Sequence, residues 1–256
     1  MRSKAAIWLM TTVLLLGACT SNKSKFAKQE EGDPAEVNTQ LAIEYMREGM
    51  YEASMEKFKK ALKQNPNLQV AHASLAILYE RLGENGLAEK HYRKAYNINR
   101  KDPLTLNNYG QFLCREGRLK EADKMFTEAI KDPLYRHPET VYTNAGICAH
   151  MRPDPVLADT YFRKALQVNP KYPPALREMV KSSFAQEKYL ATRAYLQRLQ
   201  EVTTLTPEYL WIGVRAEDAL GDKNAVSSYT LILKNQYPES DETYALIEWE
   251  HKLGGR

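Results

Sequence analysis

The stretch "QVAHASLAILYERLGENGLAEKHYRKAYNINRKD", residues 69–102, decides the fold. Leu75, Ala76 and Tyr79 recur at the spacing of one helical face, and after Gly83 the residues Ala88, Tyr92 and Ala95 do so again. The stretch therefore reads as two short amphipathic helices, A and B, with a glycine between them. One such pair cannot bury its own apolar face; it needs neighbours of the same kind.

The neighbours are present in the chain. Segments beginning at Ala35, Gln69, Pro103, Glu139, Pro173 and Pro207 align on one template. The steps are 34 residues, except for one of 36 before Glu139, where "KDPLYRHPET" carries two extra residues. The first repeat supplies Leu41, Ala42, Tyr45, Gly49, Phe58, Ala61 and Pro66; the third Tyr109, Gly110, Gly117, Ala122, Phe126 and Ala129; the fourth Ala145, Gly146, Ala158, Phe162, Ala165 and Pro170. The fifth is worn, with Leu176, Met179, Leu196 and Leu199, and the sixth keeps Leu210, Gly221, Leu233 and Pro238. This template resembles the tetratricopeptide repeat. Positions 4, 7, 8 and 11 share one face of helix A, small residues at 8 and 20 admit close helix approach, and an aromatic at 24 fills the space beside them. Proline at 32 ends helix B because it lacks an N–H and disfavours helix at the residue before it. The expected fold is all-α: a right-handed superhelix of six tetratricopeptide repeats over residues 35–256, closed by an amphipathic capping helix at 241–253.

The chain opens "MRSKAAIWLMTTVLLLGACTSNKSK". Arg2 and Lys4 precede a short apolar run that is too brief to span a bilayer, the form of a secretory signal. Leu16-Gly17-Ala18 before Cys19 has the form of a bacterial lipobox, so residues 1–18 are expected to be cleaved and Cys19 to be acylated. Two or more acyl chains anchor stably where one does not. Thr20 rather than Asp follows Cys19, which favours the outer membrane in the sorting rule of enteric bacteria. Residues 19–34 are polar and without apolar period, and are read as a tether of roughly 20 Å root-mean-square reach. Of 36 basic residues, removal of Arg2 and Lys4 leaves 34 against 32 acidic ones. This near balance gives no call for a nucleic acid or an anionic surface as partner.

In such a superhelix, positions 2, 5, 9, 12 and 13 of helix A line the inner groove. Thr39, Ile43, Met46, Arg47, Val70, Ala73, Ile77, Asn107 and Gln111 are the candidate partner-binding residues, with Ile43, Met46, Val70, Ala73 and Ile77 forming an apolar centre. An open apolar groove rimmed by charge fits a helix or an extended peptide, unless the tether or a neighbouring helix covers it. The carboxylate clamp of some chaperone adaptors needs basic groups at position 5, where Thr39, Ala73 and Asn107 stand here, so no clamp is expected. Arg177, Lys181 and Arg215, with Trp211 beside them, offer a second, basic-aromatic surface in the later groove, or a solvated face. The five histidines show no ligand spacing, and no nucleophile or phosphate-loop motif occurs. A binding protein is expected, not an enzyme, with no metal, no small-molecule substrate, and no cofactor besides lipid on Cys19.

With Cys19 given to lipid, Cys114 and Cys148 remain as a pair in an oxidising compartment. They lie on the A helices of repeats three and four at similar heights, so a disulfide is sterically reasonable; two separately buried thiols are the alternative.

The lipobox, the six repeats, "LNNYGQFLC" (106–114) and "NAGIC" (144–148) together resemble the type IV pilus biogenesis/stability lipoproteins of the PilF/PilW family. The resemblance runs from signal to capping helix. It implies a pilotin: an outer-membrane lipoprotein, facing the periplasm, that binds the pilus secretin subunit and promotes its localisation and multimerisation. A general lipid-anchored scaffold for β-barrel assembly or for peptidoglycan enzymes is the alternative reading of the same features.

Overall fold

The computed structural model describes residues 32–152 and 155–254. The signal, Cys19, most of the tether, and Pro153 and Asp154 in the turn after the fourth A helix lie outside the described residues. Thirteen helices form among the described residues. The six pairs are α1 (Pro34–Arg47) with α2 (Tyr51–Gln64), α3 (Gln69–Arg81) with α4 (Asn85–Ile98), α5 (Pro103–Arg115) with α6 (Leu119–Ala129), α7 (Pro138–His150) with α8 (Pro155–Val168), α9 (Pro173–Ala185) with α10 (Tyr189–Gln200), and α11 (Pro207–Leu220) with α12 (Lys223–Gln236); α13 (Asp241–Gly254) follows.

The starts have local causes. Proline opens α1, α5, α7, α9 and α11, where its missing N–H costs nothing and its fixed φ suits the first turn. Asp33 accepts the Ala35 N–H at 3.0 Å, Asp102 the Thr105 N–H at 2.8 Å, and Asp222 the Ala225 N–H at 3.0 Å, capping α1, α5 and α12. Most A helices end on a left-handed residue: Gly49, Gly83, Gly117 and Gly221 have φ of 77, 76, 73 and 76°. In the worn fifth repeat Glu187 takes this place with φ 57°, a backbone state that an L side chain rarely adopts.

Each A helix touches the next A helix, and each B helix touches its own A and the A that follows. Among the described residues no B helix packs on another B. The result is a curved inner layer of A helices backed by an outer layer of B helices, the right-handed superhelix of stacked tetratricopeptide repeats, with α13 against α11 and α12.

The core runs between the layers. Position 24 is filled by Phe58, Tyr92, Phe126, Phe162 and then Leu196, all at most 1 % exposed. Each such burial contributes roughly 1.5–3 kcal/mol. Helix B approaches the next helix A through Ala61, Ala95, Ala129 and Ala165; Leu199 and Leu233 take over in the last two repeats. A Cβ on Gly110 would stand 2.8 Å from Phe126 Cε1, so the ring occupies the space a side chain would need. Gly213 and Tyr229 repeat that relationship at 2.9 Å, one residue early in the frame that starts at Pro207.

One expected core residue differs. Leu41 is 41 % exposed, although its equivalent Leu75 is 2 % exposed. Position 7 is covered by the preceding repeat, and in the described residues nothing precedes α1.

Candidate functional site: the inner groove

The A helices present one face to the hollow of the superhelix, and the period of 3.6 puts positions 2, 5, 9, 12 and 13 on it. The structure divides the expected groove residues by depth. Val70 is 40 % exposed, and Arg47 is exposed and paired with Glu44 of its own helix at 2.7 Å. Ile43 and Ile77 are half-buried against the first core cluster, around Ala42, Phe58, Leu75 and Leu78, and Gln111 is also half-buried.

Thr39, Met46, Ala73 and Asn107 are not open to a partner. Thr39 is 1 % exposed and donates its hydroxyl to Ala35 O at 2.8 Å. Met46 is part of the first core cluster. Ala73 is 6 % exposed, and Asn107 is 3 % exposed with its Oδ1 accepting from Asn144 Nδ2 at 2.8 Å. In repeats one to four neighbouring A helices approach closely enough to bury position 5. A position number gives the direction of a side chain but not its depth.

Apolar exposure instead extends further along the groove. Leu104 is 53 % exposed, Ile147 44 % and Met151 57 %. They occupy positions 2, 9 and 13 of repeats three and four. With Val70 and the outer edges of Ile43 and Ile77, they make an apolar strip along α1, α3, α5 and α7.

The strip is held rigid from behind. Glu80 accepts from Tyr92 Oη at 2.5 Å and from Arg115 Nε at 3.1 Å, which joins α3, α4 and α5. Burial, and then the nearby Glu80 charge, push the Tyr92 phenol far up, so it remains a donor. Arg81 donates to Met46 O at 3.3 Å, tying α3 to α1, and Gln69 donates to Thr105 at 2.7 Å, tying α3 to α5. Cys114 and Cys148 are joined as a disulfide with Cα atoms 5.7 Å apart, fixing α5 to α7. Met151 Sδ lies 3.4 Å from Cys114 Sγ, so the exposed methionine rests on the bridge.

The later groove is of another kind. Lys181 pairs with Glu208 at 2.9 Å and lies over the Tyr209 ring. The Arg215 guanidinium lies over Phe184, 5.0 Å from its centroid. Trp211 is half-buried and meets Trp249 of α13 edge-on at 6.1 Å.

One contact was not legible from ligand spacing. His72 and His91 face each other across α3 and α4 with Nδ1 atoms 2.9 Å apart. His72 Nε2 donates to Pro66 O at 3.1 Å, so its Nδ1 accepts and His91 Nδ1–H donates. Burial lowers both pKa values, His91 to about 4, with the His72 neighbour adding to that shift. The pair is a neutral hydrogen bond that packs two helices. Among the described residues no three metal-ligating side chains converge, and no helix is long and apolar enough to cross a membrane.

A stack of paired helices, with a groove that carries side chains suited to a polypeptide, defines a tetratricopeptide-repeat protein. Residues 35–68 match the family described as tetratricopeptide repeat, and residues 70–133 match that of YpiA-like, C-terminal tetratricopeptide repeats. Over 244 residues the chain is 31% identical to the type IV pilus assembly protein PilF of Pseudomonas aeruginosa, spanning 94% of this chain and 97% of that one. The solved structure of P. aeruginosa PilF is similar with a TM-score of 0.75 at 30% identity, covering 84% of this chain and 97% of that one. The structure of PilW, described as a widely conserved type IV pilus biogenesis factor, gives 0.76 at 30% identity over 84% and 99%. The chain belongs to the PilF/PilW family of type IV pilus proteins.

Proposed function

We propose that this chain serves type IV pilus biogenesis as a pilotin, a non-enzymatic lipoprotein that escorts the pilus secretin subunit to the outer membrane and promotes its multimerisation. Acylated Cys19 supplies the destination, residues 19–34 supply reach, and the apolar strip of repeats one to four grips a segment of the unassembled subunit. The observation that carries the reading is that strip: Val70, Leu104, Ile147 and Met151 are each at least 40 % exposed on consecutive A helices. Apolar surface of this kind, rimmed by Arg47, Arg81 and Arg115, is the form that takes an amphipathic helix or an extended peptide. Membership of the PilF/PilW family points to the pilus as the setting.

The test follows secretin multimers in membrane fractions. Cells carrying Cys19→Ala should lose them from the outer membrane, and cells carrying Val70→Glu with Leu104→Glu should lose them while the lipoprotein itself stays in place. Normal multimers in the outer membrane with both variants would refute the proposal.

A further inference from the structure

Positions 5 and 9 of the A helices can be read down the groove as two columns. In repeats one to four they hold Thr39, Ile43, Ala73, Ile77, Asn107, Gln111, Thr143 and Ile147, none of them charged. In repeat five they hold Arg177 and Lys181. On α11, where the glycine beneath the ring stands one residue early, Trp211 and Arg215 follow directly after the equivalent positions, which Leu210 and Val214 fill in the core. The accessible side chains of the A helices thus change from neutral at these positions to cationic and aromatic between α7 and α9.

Contacts tie together the helices that carry these residues. Lys181 on α9 reaches Glu208 on α11, Arg215 on α11 reaches back over Phe184 on α9, and Trp211 on α11 meets Trp249 on α13. Arg177 stands one turn before Lys181, and Trp211 one turn before Arg215, so each pair shares a face. Of the cations, Lys181 is neutralised by Glu208. Among the described residues neither Arg177 nor Arg215 pairs with a carboxylate, and the nearby Glu217 is taken by Arg193. Stacking on Phe184 fixes the plane of the Arg215 guanidinium and leaves its N–H edge free, the arrangement that receives a carboxylate through two hydrogen bonds. Half-buried tryptophan beside free arginine is also the composition of binding hot spots.

We infer that the groove of repeats five and six is a second docking site, which takes an acidic stretch of polypeptide, its carboxylates on Arg177 and Arg215 and an apolar side chain on Trp211. The inference goes beyond the pilotin reading and does not depend on it. A nucleic acid is the less fitting polyanion, because the site offers two free guanidinium groups on one short face, and of the arginines further along the groove Arg47 and Arg115 are already paired with Glu44 and Glu80.

The experiment uses the full chain in detergent and a short fluorescein-labelled peptide of alternating Glu and Leu, read by anisotropy. The peptide should bind, with affinity falling steeply as salt rises. Arg177→Gln should weaken it about tenfold, and Arg215→Gln at least as much, with melting temperatures near that of the parent chain. Val70→Glu with Leu104→Glu should leave it bound. Arg177 is half-buried, so melting temperatures read beside the anisotropy separate a loss of binding from a loss of folding. Absence of binding, equal binding of a Gln–Leu peptide, undiminished binding by Arg177→Gln and Arg215→Gln, or tighter binding of a single-stranded oligonucleotide through the same arginines would each overturn the inference. Loss of secretin multimers in cells is not read by this assay, so either proposal can fail alone.

Discussion

Gly110 lies beneath the ring of Phe126, where a Cβ would come within 2.8 Å of Cε1. The phenyl ring is 1 % exposed and held between helices, so it has no room to retreat. Gly110→Ala is therefore expected to destabilise the protein by about 1–3 kcal/mol, the usual range for overpacking a tight core. Urea unfolding followed by circular dichroism checks it, with no loss as the contrary result.

Cys114 and Cys148 close a loop across 34 residues between adjacent inner helices. In the chain-entropy account such a closure contributes about 3–4 kcal/mol by restricting the unfolded chain. Replacing both cysteines with alanine should lower stability by up to that amount, and the parent protein under reducing conditions should behave in the same way. A non-reducing mass measurement of the parent, two hydrogens below the reduced form, checks the bond itself.

The His72–His91 contact sets a pH response. Both folded-state pKa values lie below the ordinary 6.5, with His91 at about 4. The unfolded chain therefore binds protons between those limits while the folded protein resists them, and stability falls as pH drops from about 6.5 towards 4. Allowing for solvent around these half-buried rings, the loss is on the order of 1 kcal/mol. Melting temperatures between those pH values should decline, and His91→Gln should flatten the decline. An unchanged slope in the variant would assign it to other groups.

The repeat was legible because it is a packing rule written many times. Ring-sized residues at position 24 and alanines at 27 have one structural use each, and four successive copies leave no competing fold. A helix begins within one residue of each of the six segment starts. What the sequence left open depends on neighbours. Leu41 has the same letter as Leu75 but lacks a preceding repeat, so one is half-exposed and the other buried. Thr39, Ala73 and Asn107 point towards the hollow and are still covered, because adjacent A helices meet above them. Leu104 and Met151 carry much of the exposed apolar surface, although they sit in repeats whose groove reads as more polar. His72 and His91 are 19 residues apart, no ligand spacing, yet the A–B turn makes them partners.

The central claim is that the secretin subunit lies along the inner face of repeats one to four. A photoreactive phenylalanine analogue placed at Leu104, and separately at Leu231 on the outer helix α12, tests it in pilus-forming cells. Leu231 is 61 % exposed, so both sites are open to a passing protein. Irradiation should give a secretin adduct from position 104 and none from position 231. An adduct from 231 alone, or none from either, would contradict the account.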